Sequence, residues 1–367
     1  MLPECTCHYP REGFSRAIPP RGVFTSNTNA RVGNLSHQAF GIERAPLFRR
    51  FNDVCTIGYF LVPEFSMISF VAALEPLRLA NRIAGEQLYN WRLFSHDGKP
   101  VASSSGLEIS VDAPFSDADR LSAAIVATGD NVSTGDYSKL ISALRKSSSF
   151  GASIGAVCTG TYVLAKAGLL NKHRATIHWE NHSSTVAEFP DLSITQELFE
   201  IDDKRFTCAG GTAAIDMMLA IIAREQGGKL VTEVTDQLIH HRMRDPQDRQ
   251  RMDLRSRLGI AHPKLLAVIA RMEETIEAPV SLTELARHAQ LSSRQLERLF
   301  SKYLGHSPTR HYLSIRLGHA RFLLRQTSMP ILSVAMASGF VSASHFSKSY
   351  NEHFLRTPSA ERRRPIT

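Results

Sequence analysis

The last third of the chain contains one helical motif twice, and this repeat restricts the fold more than any other feature of the sequence. Residues 281–308 align with residues 330–358 after one inserted residue, so that apolar positions fall on apolar positions. The aligned pairs are Leu282 with Ile331, Leu285 with Val334, Ala286 with Ala335, Leu291 with Phe340, Leu296 with Phe346, Phe300 with Tyr350 and Pro308 with Pro358. Each copy predicts a short helix with a small alanine near its middle, a tight turn and a second helix. Because a small residue lets two helices cross closely, the pattern is typical of a helix-turn-helix unit.

The second helix of each copy predicts which side chains face outward. Ser292 and Gln295 fit an S-x-x-Q capping box, which starts this helix at a defined point in the first copy. The predicted buried stripes are Leu296, Leu299, Phe300 and Tyr303 in the first copy and Phe346, Tyr350 and Phe354 in the second. The outward residues near the N-terminal end are those that reach base edges in a major groove. The candidate DNA-contacting residues are Ser293, Arg294, Gln295 and Arg298 in the first copy and Ser342, Ser344, His345 and Lys348 in the second.

Two further features concern how the copies are built and joined. Gly339 is placed for a turn position with positive φ. A long helix between the copies, HYLSIRLGHARFLLRQ, carries Arg316, Arg321 and Arg325. This helix would hold the two recognition helices at a fixed spacing, and helices about 34 Å apart can enter successive major grooves. The alternative for each of these arginines is a solvated surface charge, and the alternative for the whole module is a helical protein-docking domain.

The positive charge of the chain is concentrated in the same region. The formal charge is +8, but residues 255–367 hold 17 Lys and Arg against 7 Asp and Glu, and residues 1–254 hold 26 against 28. A basic module of this size favours a polyanionic partner. A solvated cationic face that serves solubility is the alternative, and the helical repeat favours DNA.

The segment from Leu282 to Arg363 resembles the DNA-binding domain of AraC/XylS transcription regulators. The resemblance is carried by LLRQTSMPILSVAMASGF and by HFSKSYNEHFLRTPS, and it covers the whole module. It implies sequence-specific binding to double-stranded promoter DNA, usually with activation of transcription, and RNA polymerase as a further partner.

The body of the chain alternates short apolar runs with amphipathic stretches from Val54 onward. Runs such as VCTIGYFLV, AAIVATG and GASIGAV between helical periods predict an α/β domain with a mostly parallel sheet. A polar helix is predicted from LVTEVTDQLIHHRM, and a charged, proline-containing linker follows it. The predicted organisation is a flexible extension without assigned function (1–51), an α/β domain (52–245), a linker (246–261) and an all-helical domain (262–367).

Cys158 lies where an apolar strand passes into a helix, in GASIGAVCTGTYVLAKAGLL. A cysteine at such an elbow is exposed, and the helix N-terminus lowers the pKa of its thiol and presents N–H groups to an anion. Together with EPLRLAN, ATIHW and FTCAGGTAAIDMMLAIIARE, this segment resembles the GlxA group of regulators. Their N-terminal half is similar to PfpI-type, class I glutamine-amidotransferase-like domains. The resemblance implies a flavodoxin-like domain that senses a ligand and forms a homodimer.

The elbow admits an enzymatic alternative. Hydrolytic members of that family place a histidine directly after the cysteine, whereas this chain has Thr159, so no catalytic residue is predicted and the chain is not expected to be an enzyme. A cysteine-dependent amidase or peptidase with a DNA-binding tail, and a DNA-binding protein without an effector, are the alternatives. The candidate ligand-binding residues are Cys158, Thr159, His178, Trp179 and Glu75.

The three candidates outside the elbow itself, His178, Trp179 and Glu75, each have more than one interpretation. His178 is a ligand donor, a core-edge histidine hydrogen-bonded to backbone, or, in the enzymatic alternative, the catalytic partner of Cys158. Trp179 either holds a quaternary ammonium group by cation–π attraction or packs in the core. Glu75 is a candidate to pair with Arg78 across the pocket. Resemblance to regulators that respond to glycine betaine, carnitine or arginine favours a betaine-like effector.

Several classes of protein are excluded by simpler features. No stretch approaches 18 uninterrupted apolar residues and the N-terminus has no apolar h-region, so neither a membrane partner nor a signal peptide is predicted. The five cysteines are Cys5, Cys7, Cys55, Cys158 and Cys208. This odd, scattered set predicts no disulfide framework and a reducing cytoplasm. The lone C-x-C at the N-terminus predicts no metal site, and no cofactor is expected.

Overall fold

The computed structural model describes residues 46–363 except Asn52, Asp130, Asn131 and Ser328. Most of the extension predicted for residues 1–51, including Cys5 and Cys7, lies outside the described residues. Its last part is packed: Leu47 and Phe48 are buried, and their backbone N–H groups donate to Oε1 of Glu225 at 2.5 and 3.0 Å. Ordered packing therefore begins before residue 52.

The helices and strands follow the order that the sequence pattern predicts. The strands are β1 (Cys55–Leu61), β2 (Tyr89–Ser95), β3 (Val101–Ala102), β4 (Glu108–Ile109), β5 (Ala113–Pro114), β6 (Ala123–Ala127), β7 (Ser153–Val157), β8 (Arg174–Thr176), β9 (Ser193–Thr195), β10 (Phe199–Asp202) and β11 (Arg205–Cys208). The helices of the α/β region are α1 (Met67–Ala84), α2 (Ser138–Ser149), α3 (Gly160–Lys166), α4 (His182–Glu188), α5 (Ala213–Gln226) and α6 (Gly228–Gln237). The remaining helices are α7 (Leu254–Leu258), α8 (Pro263–Glu274), α9 (Leu282–His288), α10 (Ser293–Leu304), α11 (Pro308–Gln326), α12 (Ile331–Ala337), α13 (Ala343–Phe354) and α14 (Pro358–Arg362).

The main sheet has seven strands in the order β10-β11-β7-β6-β1-β2-β5. All neighbouring strands are parallel except β10 and β11, which pair antiparallel. Strands β6 and β7 are buried along their whole length, as expected when helices cover both faces of a parallel sheet. One core cluster packs α1 and α5 against one face, and a second packs α2 and α3 against the other. The predicted α/β domain with a mostly parallel sheet is confirmed.

The polar helix predicted over LVTEVTDQLIHHRM is shorter than the pattern indicated. Helix α6 ends at Gln237, and the chain then runs without helix or strand to Asp253. The side chain of Asp216, buried on α5, explains the break, because it takes hydrogen bonds from the ring of His240 and from the backbone of Arg244. These bonds hold that segment away from a helical course.

The C-terminal region is helical throughout and contains one core cluster for each copy of the repeat. Aligned positions are buried in both copies, with Leu285 matching Val334 and Ala286 matching Ala335. In the predicted stripes of the second helices, Leu296, Phe300, Phe346 and Tyr350 are buried, and Leu299 and Phe354 are half-buried. The prediction that Tyr303 is buried is wrong: it is 40% exposed, and its ring packs against the His262 ring. None of the helices among the described residues combines the length and the apolar character that a membrane span needs.

Candidate nucleic-acid interface and ligand site

The predicted capping box starts α10. The Ser292 hydroxyl accepts from the backbone N–H of Gln295 at 3.2 Å, and the Gln295 Oε1 accepts from the backbone N–H of Ser292 at 2.8 Å. Helix α9 has a second box that the sequence analysis missed, between Ser281 and Glu284, although S-L-T-E fits the same signal. Hydrogen bonds from the backbone and hydroxyl of Ser281 lower the pKa of Glu284. Both helices of the first copy therefore begin at fixed residues.

The predicted DNA-contacting residues lie at the start of α10 and α13. Most of their side chains are exposed: Arg294, Gln295, Arg298, Ser342, Ser344, His345 and Lys348, with Ser293 half-buried. Two of them also help to cap their helices: Ser342 accepts from the backbone N–H of His345 at 3.4 Å, and the Gln295 side chain accepts from the backbone N–H of Ser292. The ammonium of Lys348 lies 4.0 Å from the Glu352 carboxylate, on the exposed face of the helix. The exposed N-terminal turns of the two helices thus present donors and cations.

The turns of the two copies have the same backbone conformation. Gly339 has φ of +75°, which confirms the predicted positive φ. A Cβ at this position would lie 2.4 Å from the carbonyl oxygen of Ile276, so glycine is required for space as well as for conformation. The turn of the second copy therefore touches the segment that precedes the first.

Arg316, Arg321 and Arg325 of α11 bind groups within the protein and are not simply solvated surface charges. The Arg316 guanidinium donates to the carbonyl oxygens of Ser338 and Gly339 at 3.0 and 2.7 Å and covers the Phe340 ring at 4.3 Å. It fixes the turn of the second copy to the spacer helix.

Arg321 and Arg325 both bind the carboxylate of Glu361, which is buried on α14. Burial by itself would raise the pKa of Glu361, but the hydrogen bonds from Arg325 and Arg321 hold it below its ordinary value. The three arginines thus join the second copy to α11 rather than carrying free surface charge.

Cys158 forms a sharp elbow between β7 and α3, as predicted. Its φ is +59°, and its backbone N–H donates to the Cys208 carbonyl oxygen at 3.1 Å. Gly210 approaches closely, because a Cβ there would lie 2.7 Å from the Cβ of Cys158. The elbow is therefore held by the end of the neighbouring strand β11.

Thr159, which stands where hydrolytic relatives place histidine, points into the protein. Its side chain is buried, its hydroxyl donates to the Gly129 carbonyl oxygen at 2.6 Å, and it lies 2.7 Å from the hydroxyl of Thr128. The hydroxyl is thus engaged by the protein itself. These hydrogen bonds of Thr159 join the elbow to the loop after β6.

His178 and Trp179 lie in the loop that follows β8, and the Thr161 hydroxyl joins α3 to that strand by donating to the Thr176 carbonyl oxygen at 2.7 Å. Nδ1 of His178 is 3.7 Å from the Glu180 carboxylate. Trp179 is 39% exposed, which excludes the core-tryptophan interpretation. The guanidinium carbon of Arg251 lies 4.1 Å from the centre of the Trp179 ring. An aromatic face at the predicted site therefore already holds a cation from this chain.

Glu75 does not pair across a pocket. Its carboxylate binds Arg78 along the same helix, at 2.6 Å from Nη2. The pair lies on the outer face of α1, where both side chains are partly exposed. The structure thus gives Glu75 a local ion pair on its own helix.

The two strand thiols differ from Cys158. Cys55 and Cys208 are fully buried, whereas Cys158 is partly exposed. Burial raises the pKa of Cys55 to about 11 and that of Cys208 to about 12. Both strand cysteines are therefore protonated and unreactive at neutral pH.

A cavity of about 370 Å³ opens beyond the carboxyl ends of β1 and β2. None of the five predicted ligand-binding residues lines it. Its lining is Val62, Pro63, Glu64, His96, Phe115, Thr134, Gly135, Asp136, Tyr137 and Leu140. The sequence analysis missed this cavity, and its signal was only that polar and aromatic residues follow the ends of neighbouring parallel strands.

The predicted linker is docked on the α/β domain. The carbonyl oxygen of Pro246 accepts from the Leu198 N–H at 2.7 Å. Nε2 of Gln250 lies within 3.1 Å of three acceptors on the β8 and β9 side, the Thr176 hydroxyl and the carbonyl oxygens of Ile177 and Glu197. We call residues 244–251 the strap. The polar composition of this segment predicts a solvated linker. In the structure its side chains instead bond to the α/β domain, and the sequence alone does not reveal those partners.

The fold and these sites define a class: a protein that joins a DJ-1/PfpI-like α/β domain to a DNA-binding helix-turn-helix domain. Residues 61–224 match the DJ-1/PfpI family, and residues 285–364 match a helix-turn-helix domain. The HTH-type transcriptional regulator GbdR of Pseudomonas aeruginosa is 44% identical over 84% of this chain and 84% of its own length. The HTH-type transcriptional regulator GlxA of Rhizobium meliloti is 39% identical over 85% of this chain and 97% of its own. The crystal structure of an AraC family transcriptional regulator from Pseudomonas putida is 27% identical and covers 50% of this chain and 99% of its own, with a TM-score of 0.47.

The chain belongs to this family of HTH-type transcriptional regulators, and the resemblance to GlxA-type regulators with an AraC-type domain is confirmed. It is a DNA-binding regulator of transcription. Because its relatives over most of the chain are regulators, the comparisons favour this function over that of an enzyme.

Proposed function

We propose that the chain is a ligand-responsive activator of a catabolic operon. Residues 52–245 sense a small nitrogenous metabolite and form a homodimer, residues 246–261 connect the domains, and residues 262–367 bind the operator. The proposed partners are promoter DNA, the effector and RNA polymerase, and the proposed location is the cytoplasm. Residues 1–51 are given no function.

The observation that carries this proposal is the pair of exposed N-terminal turns on α10 and α13. Arg294 and Arg298 present guanidinium groups, which suit bidentate contact with guanine. His345 and Lys348 present ring and ammonium donors from the second copy. The remaining candidates, Ser293, Gln295, Ser342 and Ser344, are assigned to phosphates or base edges, since hydroxyl and amide groups bind both. Arg316, Arg321 and Arg325 are left out because they bind groups within the module.

The test is a measurement of sequence discrimination. The operator is selected from randomised duplex DNA, and binding to it and to single-base variants is followed by fluorescence anisotropy at fixed salt. We expect Arg294→Ala to lose about 1–3 kcal/mol of discrimination at particular base pairs. Arg287→Ala is the matched control, because it removes an exposed arginine from α9, outside the recognition helix.

Two results would contradict the assignment. If Arg294→Ala weakened binding to all sequences alike, Arg294 would be a phosphate contact and not a base contact. If the unmodified chain bound all sequences with similar affinity, an effector-independent architectural protein would be the better description. Binding should in either case fall steeply with salt, because counterions are released from the DNA.

For the effector we propose a betaine-like compound bound beside the elbow. Cys158, His178 and Trp179 are assigned to direct contact, with Thr159 positioning the elbow and Glu75 contributing charge from α1. The half-exposed Trp179 ring supports this choice, because an aromatic face suits a quaternary ammonium group. The cavity beyond β1 and β2 is the second candidate for the effector site, because of its volume and its two carboxylates, Glu64 and Asp136.

The proposed mechanism is a shift between two arrangements of the DNA-binding domain. A ligand changes their populations only in proportion to its different affinity for each. The effector must therefore contact something that differs between the two arrangements.

A further inference from the structure

Arg251, on the strap, contacts two other parts of the protein. Its guanidinium lies over the Trp179 ring at 4.1 Å, beside the predicted ligand site. Its Nη1 is 4.0 Å from the carboxylate of Glu273 on α8, the helix that opens the DNA-binding region. That carboxylate is also bound by Arg257 at 2.8 Å. Arg251 therefore connects the loop after β8 with the first helix of the basic module.

The strap is held firmly at one end. The Arg244 guanidinium and backbone N–H bind the buried carboxylate of Asp216, at 2.6 Å for the shortest contact. The carbonyl oxygen of Pro246 adds a backbone hydrogen bond from Leu198. A displacement of Arg251 would therefore move the far end of the strap while its beginning stays in place.

At the far end of the strap, not every hydrogen-bonding atom has a partner. Oε1 of Gln250 is buried and has no hydrogen-bond partner among the described residues. A buried acceptor without a partner costs free energy, which offsets part of the gain from the hydrogen bonds that Nε2 of Gln250 makes. Arg251, the next residue, is itself partly exposed. This end of the strap therefore combines an unpaired buried acceptor with a partly exposed arginine.

We propose that Arg251 is an internal competitor for a cationic effector. The Trp179 face takes a quaternary ammonium group, and the guanidinium of Arg251 occupies that place when the effector is absent. The proposal rests on the assignment of Trp179 to the ligand site made above. It adds the group of this chain that the cationic ligand displaces, and with it a route from the ligand site to the DNA-binding region.

This competition gives a physical route from ligand to DNA. One aromatic face cannot hold both cations at the distance that Arg251 shows, so binding separates Arg251 from Trp179. The link between the β8 loop and Glu273 is then lost, and α8 remains tied to the short helix α7 through Arg257. Because coupling is reciprocal, an operator that favours the released arrangement raises the affinity for the effector.

The experiment measures cation binding with Arg251 present and absent, in the full chain. The sequence has two tryptophans, Trp91 and Trp179, so Trp91→Phe leaves Trp179 as the fluorescent reporter. Tetramethylammonium chloride is titrated at constant chloride, with sodium chloride as the balance, and calorimetry gives the Kd independently. We expect saturable binding with a change in Trp179 emission. Removal of the competitor by Arg251→Ala should lower the Kd about 3- to 30-fold, the range that corresponds to one cation–π contact.

Two further variants keep the result interpretable. Arg249→Ala removes a neighbouring exposed arginine for which the described residues provide no hydrogen bond or ion pair, and it should leave the Kd unchanged. Arg251→Lys keeps the charge but loses the planar guanidinium, so its Kd should lie between those of the parent and Arg251→Ala. It also serves if the alanine variant fails to fold.

An unchanged or higher Kd in both Arg251 variants overturns the proposal, and so does the absence of saturable binding by calorimetry. Operator binding of the same chains is measured in parallel without cation. If operator recognition persists while the Trp179 face proves indifferent to cations, the regulator remains and only the competition is wrong. If operator recognition also fails, the proposed function fails with it.

Discussion

Gln290 and Gly339 occupy the same position in the two copies of the repeat, and both have positive φ, +55° and +75°. Only Gly339 is confined by a neighbour, the carbonyl oxygen of Ile276. The two copies therefore share one turn geometry that suits glycine, and the first copy forms it with a residue that has a Cβ.

Gln290→Gly should stabilise the chain. A left-handed conformation disfavours a residue with a Cβ, so we expect a gain of about 0.5–1 kcal/mol in the free energy of unfolding. The hydrogen bond from Lys264 to the backbone carbonyl of residue 290 is retained. Urea denaturation at equilibrium measures the change, and a loss of stability would show that the Gln290 side chain contributes more than its strain costs.

Gly339→Ala should act in the opposite direction. The added Cβ meets a backbone oxygen that cannot move away freely, so we expect a loss of about 2–4 kcal/mol. Gly305→Ala is the matched control, since it also has positive φ but no atom within 4 Å of an added Cβ. Equal losses in the two variants would mean that strain alone, without the close approach, determines the effect.

The Glu361 carboxylate should make the second copy sensitive to acid. Its pKa in the folded chain lies below the ordinary value of 4.5, so its ionised form contributes stability at higher pH, and this is lost as the pH falls from about 4.5 through the folded value. Glu361→Gln should cost about 1–3 kcal/mol at pH 7, less than a fully buried pair, because Arg321 and Arg325 are one-third exposed and regain water.

Hydrogen exchange of the α14 and α11 amides locates that effect. At pH 7 protection should fall in Glu361→Gln, and the difference from the parent should shrink below pH 4.5. A difference that stays constant with pH would show that packing, and not the charge of Glu361, holds α14 in place.

The thiols should differ in reactivity towards iodoacetamide. Cys158 should alkylate at a rate close to that of glutathione at pH 7, because Thr159 stands where hydrolytic relatives place their histidine, and Cys55 and Cys208 should react only on unfolding. Peptide mass spectrometry over time distinguishes the sites, and urea-treated chain provides the fully reactive reference. A Cys158 rate far above that of glutathione would revive the amidase alternative.

A betaine-like effector should raise the thermal stability of the chain in a saturable way. A ligand that binds only the folded state stabilises it by about 2.7 kcal/mol at a concentration of 100 times Kd. Excluded osmolytes also stabilise proteins, so sucrose is the comparison, and its effect should grow without saturation. Trp179→Ala should abolish the saturable part and leave the osmolyte effect, whereas a shift that survives this change would favour the cavity beyond β1 and β2.

The sequence predicts those features that depend on neighbouring residues or on a period. The capping box of Ser292 and Gln295 is local, the burial of Leu285 and Val334 follows from the repeat, and the left-handed turn at Gly339 follows from the residue type. The parallel sheet follows because βα alternation permits few other arrangements.

The contacts that the sequence does not predict join residues far apart along the chain. Arg251 and Trp179, or Arg325 and Glu361, carry no periodic signal, and a basic side chain in a polar stretch predicts solvent until a partner is located. Glu75 shows the converse, because its partner Arg78 is three residues away and is predicted from the motif, although the pair lies along one helix and not across a pocket.

The close approach of Gly339 to Ile276 limits the DNA sequences that this regulator can use. The turn of the second copy packs against the segment that precedes the first copy, and Arg316 binds that turn to α11. The two recognition helices are therefore held at a fixed spacing. One base pair inserted between the half-sites shifts them by about 3.4 Å and rotates them by about 34° relative to each other. Promoters recognised by this chain should therefore tolerate changes of base more readily than changes of spacing.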